Sequence, residues 1–383
     1  MSRPIVLLAA ALLLAACASD REAVPSNDHP EGAPITVESE ARLSVGVLEG
    51  DPMQEFHRVV TPFLLPGGDL VVPVSDARAL RLFDGDGRFV RELGSRGEGP
   101  GEFATLDAAW ARGDTIEAFD GQLRRITRFL PEGSVETVPL DPVGSAQTAL
   151  PVPFTDGWIV FGAENPGMEG RDDVVVHAYR LDGSHAGEIA RTVGFARYRS
   201  AVGGGPEPLS PRAVLAAHRD EVYVGETLTP RLEVLDVSGT RLRDVTWEME
   251  EVRDPGATFR VVREAVEERD DAPFWAVTAF QETSAPDRVS AFWDLLVDAE
   301  GFFWIRPYEP LEHAAALGGL SRGAGPGGTW TILSREGDPA GTVTIPDGLE
   351  PLHITYDAVV GIHHDEWDVE SVRVHDLRRS GVS

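Results

Sequence analysis

From about residue 41 onward the chain is a succession of short runs in which apolar and polar positions alternate, each bounded by glycine, aspartate or both. Runs of that length with a period of two, cut by turn residues, predict β-strands. Two kinds of turn follow one another along the sequence. The first is a tight Gly/Asp turn between β-rich runs, as in 64–72 (LLPGGDLVV), 110–116 (WARGDTI), 154–160, 217–224 and 296–304, with a sixth copy read at 362–367. The second closes an alternating run with an x-x-Gly turn and a further strand. Its cleanest copy is 80–90 (LRLFDGDGRFV), repeated at 126–133, 178–183, 232–239 and 331–337.

Turns of these compositions join neighbouring antiparallel strands, so one turn of each kind per unit makes a four-stranded unit. Such units in series are the blades of a propeller. The sixth unit runs out after a third strand at 369–375 (VESVRVH), whereas the N-terminal side holds a spare strand at 42–47 (RLSVGV). Pairing the two would close a ring and remove two open sheet edges. The expected fold is therefore all-β: a six-bladed β-propeller of four-stranded antiparallel blades over residues 41–378, closed by the N-terminal strand. A pair of β-sandwiches would also give many short strands, but it requires neither the ordered alternation of two turns nor a last strand from the other end of the chain.

Extra length falls at 162–173, 191–211, 245–290 and 307–328. In a propeller the connections between second and third strands and those between blades emerge on one face, so that face is expected to be elaborated and the other trimmed. Loops on a rigid scaffold are where binding resides. Within the insertion at about 245–290, the stretch 259–268 (FRVVREAVEE) has helical spacing. Phe259, Arg263, Phe274, Trp275 and Phe280, with Trp293 nearby, are candidates for a lid or partner surface; the alternative is that the aromatics only pack the insertion onto its blades.

The segment 87–103 (GRFVRELGSRGEGPGEF) resembles the NHL-type repeat and, more closely, the bacterial six-bladed β-propeller lipoproteins, and it adds Arg96 to the candidate binding-face residues. Its glycines invite a phosphate-loop reading, but there is no Gly-x-x-x-x-Gly-Lys-Ser/Thr pattern and no strand-to-helix context. A backbone corner between blades explains them better.

The first forty residues carry a different message. The apolar stretch 5–16 is too short to cross a bilayer core of about 30 Å and matches a secretory signal. Residues 14–17 (LAAC) resemble the bacterial lipobox, which implies a cleaved signal peptide over 1–16, a lipidated Cys17 and a membrane anchor in the cell envelope. Ala18, where an aspartate would signal inner-membrane retention, implies the outer membrane. Residues 17–40 read as that cysteine and a flexible tether. Cys17 is the only cysteine, so once it is lipidated neither disulfides nor thiol chemistry are available.

Charge and residue usage narrow the function. The formal net charge is -29, which repels a polyanion and argues against nucleic acid. All 34 cationic side chains are arginine, which removes every lysine-based mechanism. Asparagine occurs only at positions 27 and 165, so the two-asparagine metal set of the gluconolactonase-type propellers, which this fold resembles, cannot be assembled. The zinc-binding histidines of the peptide-amidating lyase, another relative, have no clear counterpart. His363 and His364 are adjacent, and neighbouring strand residues point to opposite faces. Neither His-Glu-x-x-His nor Gly-x-Ser-x-Gly occurs. No cofactor is expected, although a metal in the central channel stays open. The leading expectation is a monomeric, membrane-anchored envelope propeller acting as a binding or assembly module for a protein or glycan. The rival is a hydrolase or lyase with its site in the channel.

Overall fold

The computed structural model describes residues 35–143, 147–154, 158–165, 170–200, 203–249, 254–268, 272, 274–313, 327–365 and 369–379; Cys17 lies outside them. Six antiparallel sheets follow one another along the chain. Blade 1 comprises Phe63–Leu64, Leu70–Val74, Ala79–Phe83 and Phe89–Leu93; blade 2 comprises Ala108–Arg112, Thr115–Asp120, Arg125–Phe129 and Val135–Pro139. Blade 3 has Gln147–Phe154, Trp158–Asn165, Gly170–Arg180 and His185–Ser200, with a fifth strand, Gly203–Pro206, folded back on the last. Blade 4 is Ala213–His218, Glu221–Glu226, Arg231–Leu235 and Arg241–Thr246; blade 5 is Phe292–Val297, Phe303–Pro307, Gly328–Leu333 and Pro339–Ile345. Blade 6 takes Leu349–Ile354, Ala358–His364 and Glu370–Arg379 from the C-terminal end and Ile35–Val45 from the other, antiparallel from Ile35 opposite Arg379 to Val45 opposite Val372, with register shifts between Val37 and Leu43. The first strands of successive blades neighbour one another all the way round, blade 6 meeting blade 1. The chain is a six-bladed β-propeller closed by its N-terminal strand.

Burial explains the strand composition. Second and third strands are covered by a neighbouring blade on each side, so Leu70–Val74 and Ala79–Phe83 are buried throughout, while the fourth strand Phe89–Leu93 is mostly exposed. The core is accordingly a series of interblade clusters. Val72, Phe83, Val360 and Val374 pack blade 1 on blade 6, and Tyr223, Val234, Phe292 and Phe303 pack blade 4 on blade 5.

All five turns of the second kind join third to fourth strands as expected. The glycine of each, from Gly87 to Gly337, has a positive φ. A side-chain oxygen at the start usually organises the turn: the Asp84 carboxylate accepts the backbone N–H groups of Asp86 (3.0 Å) and Arg88 (2.9 Å), and Asp236 does the same for Ser238 and Thr240. Five of the first kind join first to second strands. The sixth needs correction. The segment after His364 connects the second strand of blade 6 to its third, and the true first turn is at 355–357. There the Thr355 hydroxyl accepts the Ala358 N–H (2.9 Å) and donates to the Asp357 carboxylate (3.0 Å), and no glycine marks the turn.

Two boundaries also move. The closing strand begins at Ile35, so residues 35–40 belong to blade 6 and not to a tether. Much of 162–173 and 191–211 is strand, because the last strands of blade 3 overrun the blade and bend back as a ribbon. The large insertion is helical as anticipated: α1 spans Pro255–Glu267, with proline in its first turn and the Asp254 carboxylate accepting the Ala257 N–H (2.8 Å), and α2 spans Phe274–Glu282. A single turn, α3 (Pro310–His313), follows blade 5's second strand.

Candidate recognition face

Each first strand runs from the connection face, where blades are joined, to the turn face, where tight hairpins lie. On the connection face, long segments from blades 3, 4 and 5 build one structure. Leu209 follows the fifth strand of blade 3, Phe259, Val262 and Val266 belong to α1, and Ala276 and Phe280 to α2. With Val289 they form one buried cluster, and Tyr308 from blade 5 packs against it. The Phe259 and Phe280 rings meet at 5.2 Å between centroids. Three loops that would separately be too short to bury a core thus share one, which fixes the helices as a cap.

The candidate residues divide accordingly. Phe259 and Phe280 are buried inside the cap and hold it together. Arg263 is on the outer surface of α1, paired with Glu267 at 3.0 Å. Phe274 is 77% exposed and Trp275 42%, at the start of α2. Val261 on α1 and Leu311 on α3 are also largely exposed, so four of the large exposed apolar side chains among the described residues lie on these three helices. Arg96 is not brought together with them. It is exposed on a two-residue parallel ladder, Ser95–Arg96 with Glu102–Phe103, at the corner between blades 1 and 2. There the Arg125 guanidinium donates to the carbonyls of Glu98, Gly99 and Glu102, each at 2.8 Å, and the Glu102 carboxylate accepts the Gly99 N–H. Gly94 has φ of 85°, and a Cβ there would press into the Phe103 ring. The glycine-rich loop is an interblade corner folded on itself.

Two features escaped the sequence. Beside the cap, Trp293 stacks on Tyr308 (6.0 Å, 21°), and the Arg212 guanidinium lies 4.0 Å over the Trp293 ring while donating to the Trp293 carbonyl. Burial raises the Tyr308 phenol above its ordinary pKa. Arg212 and Tyr308 come from two separate connections and Trp293 from the start of blade 5's first strand, and no local motif announces them. The second feature is His353, on the first strand of blade 6. Its ring lies 6.4 Å from that of Phe63 in blade 1, and it lines a cavity of about 210 Å³ with Leu296–Ala299 of blade 5 and Leu352–Thr355 of its own blade. Its neighbours thus include first-strand residues of both flanking blades. Enclosure by protein lowers its pKa to about 4, so the ring is neutral at physiological pH. A lone histidine in an apolar run reads from sequence as an ordinary core residue.

The adjacent pair His363 and His364 ends a strand. Among the described residues no group of three or more His, Cys, Asp or Glu side chains is placed to hold a metal ion, and no helix among them is long and apolar enough to cross a membrane.

No family model matches the chain, and no curated protein does. Solved structures share its fold. A protein from Bacteroides fragilis named as an exported protein superposes with a TM-score of 0.52 at 11% identity, covering 92% of this chain and 98% of its own. A member of the DUF4221 family from Bacteroides vulgatus gives 0.52 at 10%, covering 90% and 99%. A virginiamycin B lyase from Staphylococcus aureus follows at 0.42 and 10%, covering 90% and 100%. At these identities the likeness is one of fold.

Proposed function

We propose that this propeller is an exported, lipid-anchored binding module of the bacterial envelope whose recognition surface is the helical cap over blades 3 to 5. The anchor is Cys17, in the outer membrane as Ala18 implies, and the partner is a protein. The observation that carries the reading is the concentration of exposed apolar side chains on the cap: Phe274, Trp275, Val261 and Leu311 stand in solvent while the residues beneath them form a packed core. A cap needed only for stability would turn such side chains inward, and aromatic side chains on a fixed scaffold are the groups that anchor protein interfaces. Exposed Glu264, Glu267 and Glu268 beside them suit a partner whose apolar patch is rimmed by basic residues. The name of the exported Bacteroides structure is compatible with export of this chain.

The test is capture from envelope extracts with wild-type protein and a Phe274→Glu/Trp275→Glu variant of unchanged circular dichroism. Recovery of one defined protein by the wild type and its loss from the variant support the reading. Equal recovery by both, or none by either, overturns it.

Catalysis in the channel is the second reading, favoured by the neutral His353 on the first strand of blade 6 and by its cavity. A His353→Leu variant that binds the same partner but loses a turnover measured on a candidate ester or lactone panel would support it.

A further inference from the structure

Near the hairpin that joins the third strand of blade 3 to its fourth, the pairing shifts register twice. Tyr179 stands opposite His185, Ala178 opposite Gly187, His177 opposite Glu188 and Val176 opposite Ala190, so Ala186 and Ile189 are passed over. In a regular strand, residues three apart point to opposite faces of the sheet. The bulge at Ala186 cancels that rule for His185 and Glu188. Residues directly opposite one another share a face, so His185 falls with Tyr179, Glu188 with His177, and all four project on one side of the blade. That side is turned to blade 2, where Tyr179 packs with Trp110, Phe119 and Ile126; on the other, Val176 and Ala178 meet Val222 and Val224 of blade 4.

The two imidazoles converge. His177 Nδ1 and His185 Nε2 are 3.1 Å apart, with ring centroids at 5.1 Å and planes at 62°. His185 is held in place from its own backbone, whose N–H donates to the Asp141 carboxylate (3.0 Å), and by the Tyr179 ring at 5.2 Å. The Tyr179 hydroxyl is fixed in turn by the Asp141 carbonyl (3.1 Å). Both imidazoles are half-buried, so water reaches the pair.

We propose that His177 Nδ1 and His185 Nε2 together bind a divalent transition ion of the zinc class, with the Glu188 carboxylate as third ligand and water completing the shell. Two nitrogens at about 2.0 to 2.1 Å from a tetrahedral ion are about 3.3 Å from each other, so the rings need to move by only a few tenths of an ångström. The carboxylate has farther to go. It is paired with Arg191 at 2.6 and 2.7 Å, but that pair is exposed and of a kind that holds weakly. Opposite residues have Cβ atoms about 5 Å apart, which puts Glu188 within reach of an ion held beside His177. Imidazole nitrogens select zinc and its neighbours over magnesium and calcium, which take oxygen ligands. The site is on the outer strands of its blade, and it rests neither on the channel, nor on the helical cap, nor on the lipid anchor. An ion there would clamp the third and fourth strands of blade 3 just before they overrun the blade.

The test is calorimetric titration of the full-length, untagged chain with zinc chloride after stripping with a chelator. Saturation at one ion per chain at micromolar zinc is expected, unaffected by a hundredfold excess of magnesium. His177→Ala and His185→Ala should each weaken binding at least about tenfold, the loss that follows even from removing an outer partner of a ligand. Glu188→Gln should weaken it less, and His363→Ala/His364→Ala not at all. Should a ring variant fail to fold, X-ray absorption of the zinc-loaded wild type decides: two imidazoles in the shell support the site, and any other number overturns it. A plain imidazole–imidazole hydrogen bond, the other use of a 3.1 Å gap, predicts no saturable ion. That result, or binding that survives both ring substitutions in folded protein, overturns the proposal.

Discussion

The two faces of the ring are built on different terms. On the turn face nearly every connection is a hairpin of a few residues, and several carry polar ties from one blade to the next. The Glu221 carboxylate of blade 4 accepts from Arg243 and Tyr223 of its own blade and from Arg335 of blade 5 (3.0 Å). Asp298 of blade 5 accepts from Trp304 (2.9 Å) and from Arg379 of blade 6 (2.8 Å). Arg128 of blade 2 donates to the Leu181 carbonyl of blade 3 (2.6 Å). The connection face also has short links, such as Val74 to Ala79, Asp120 to Arg125 and Ile345 to Leu349, but over blades 3 to 5 it carries ribbon and helices. With one face holding the ring in register, the other is free to lengthen, because the entropic cost of a longer loop grows only slowly with its length.

The comparison is broken most directly by removing a turn-face tie. Asp298 and Arg379 form a buried ion pair at the seam where the C-terminal strand meets blade 5, and the same carboxylate accepts the backbone N–H groups of Glu300 and Phe302. Asp298→Ala strands a buried guanidinium and frees an indole N–H. A loss of about 3 to 5 kcal/mol is expected in urea unfolding. A loss under about 1 kcal/mol would mean that interblade apolar packing alone sets the ring.

Acid should open the two ends of this network in sequence. Burial keeps the folded pKa values of His353, His363 and His375 below the ordinary 6.5, His353 at about 4. Such groups contribute their stability in full above about pH 6.5 and lose it as the pH falls toward the folded value. His375 shows why: its Nδ1–H donates to the Glu38 carbonyl (2.9 Å), while its Nε2 is buried with no partner to accept a second proton. For Glu221, burial alone would raise the carboxyl, but hydrogen bonds from Arg243, Arg335 and Tyr223 prevail and bring it to about 2. Its contribution is lost between the ordinary 4.5 and about 2. The closing blade, with three of these histidines, should therefore loosen before the joint of blades 4 and 5. Hydrogen exchange from pH 7 to 4 should show it first in 349–379, and His353→Leu should remove roughly 3 kcal/mol of the acid sensitivity. Simultaneous loosening of all blades would contradict the assignment.

What could be read in the sequence, and what could not, follows the same division. Turn-face hairpins are local devices in which a carboxylate sits within a few residues of a glycine, or in 217–224 beside Arg219 at positive φ, so ten were legible. The exception, Thr355–Asp357, uses a hydroxyl. The helix α1 was legible because its buried positions, Phe259, Val262 and Val266, share one side. The rest is non-local. Asp298 and Arg379 are 81 residues apart, as are Arg212 and Trp293, and only the packing of successive blades brings them together. The overrun strands of blade 3 looked like connections because they extend beyond the length of a blade strand.

Replacing 254–286 by a short Gly/Ser linker should cost less than the single Asp298 change. The cap buries Leu209 and Val289, whose exposure amounts to about 2 to 3 kcal/mol, and it touches none of the turn-face ties. The ring should still unfold in one transition, with the same closing-blade protection. Loss of the propeller on deletion would show that the cap is part of the scaffold and that the two faces are not independent.

The smallest expected change in stability is the most informative about purpose. Phe274→Glu/Trp275→Glu alters side chains that already face solvent at the start of α2, while the buried residues of that helix, Ala276, Ala279 and Phe280, are untouched. Its unfolding midpoint should agree with wild type to within about 0.5 kcal/mol. Removing both aromatics from an interface that depends on them costs about 2 kcal/mol or more for each, enough to abolish capture of a micromolar partner. A variant destabilised by several kcal/mol would place these rings in the packing of the cap and leave the connection face without its recognition surface. A variant as stable as wild type that no longer binds separates the two faces into one that holds the ring and one that uses it.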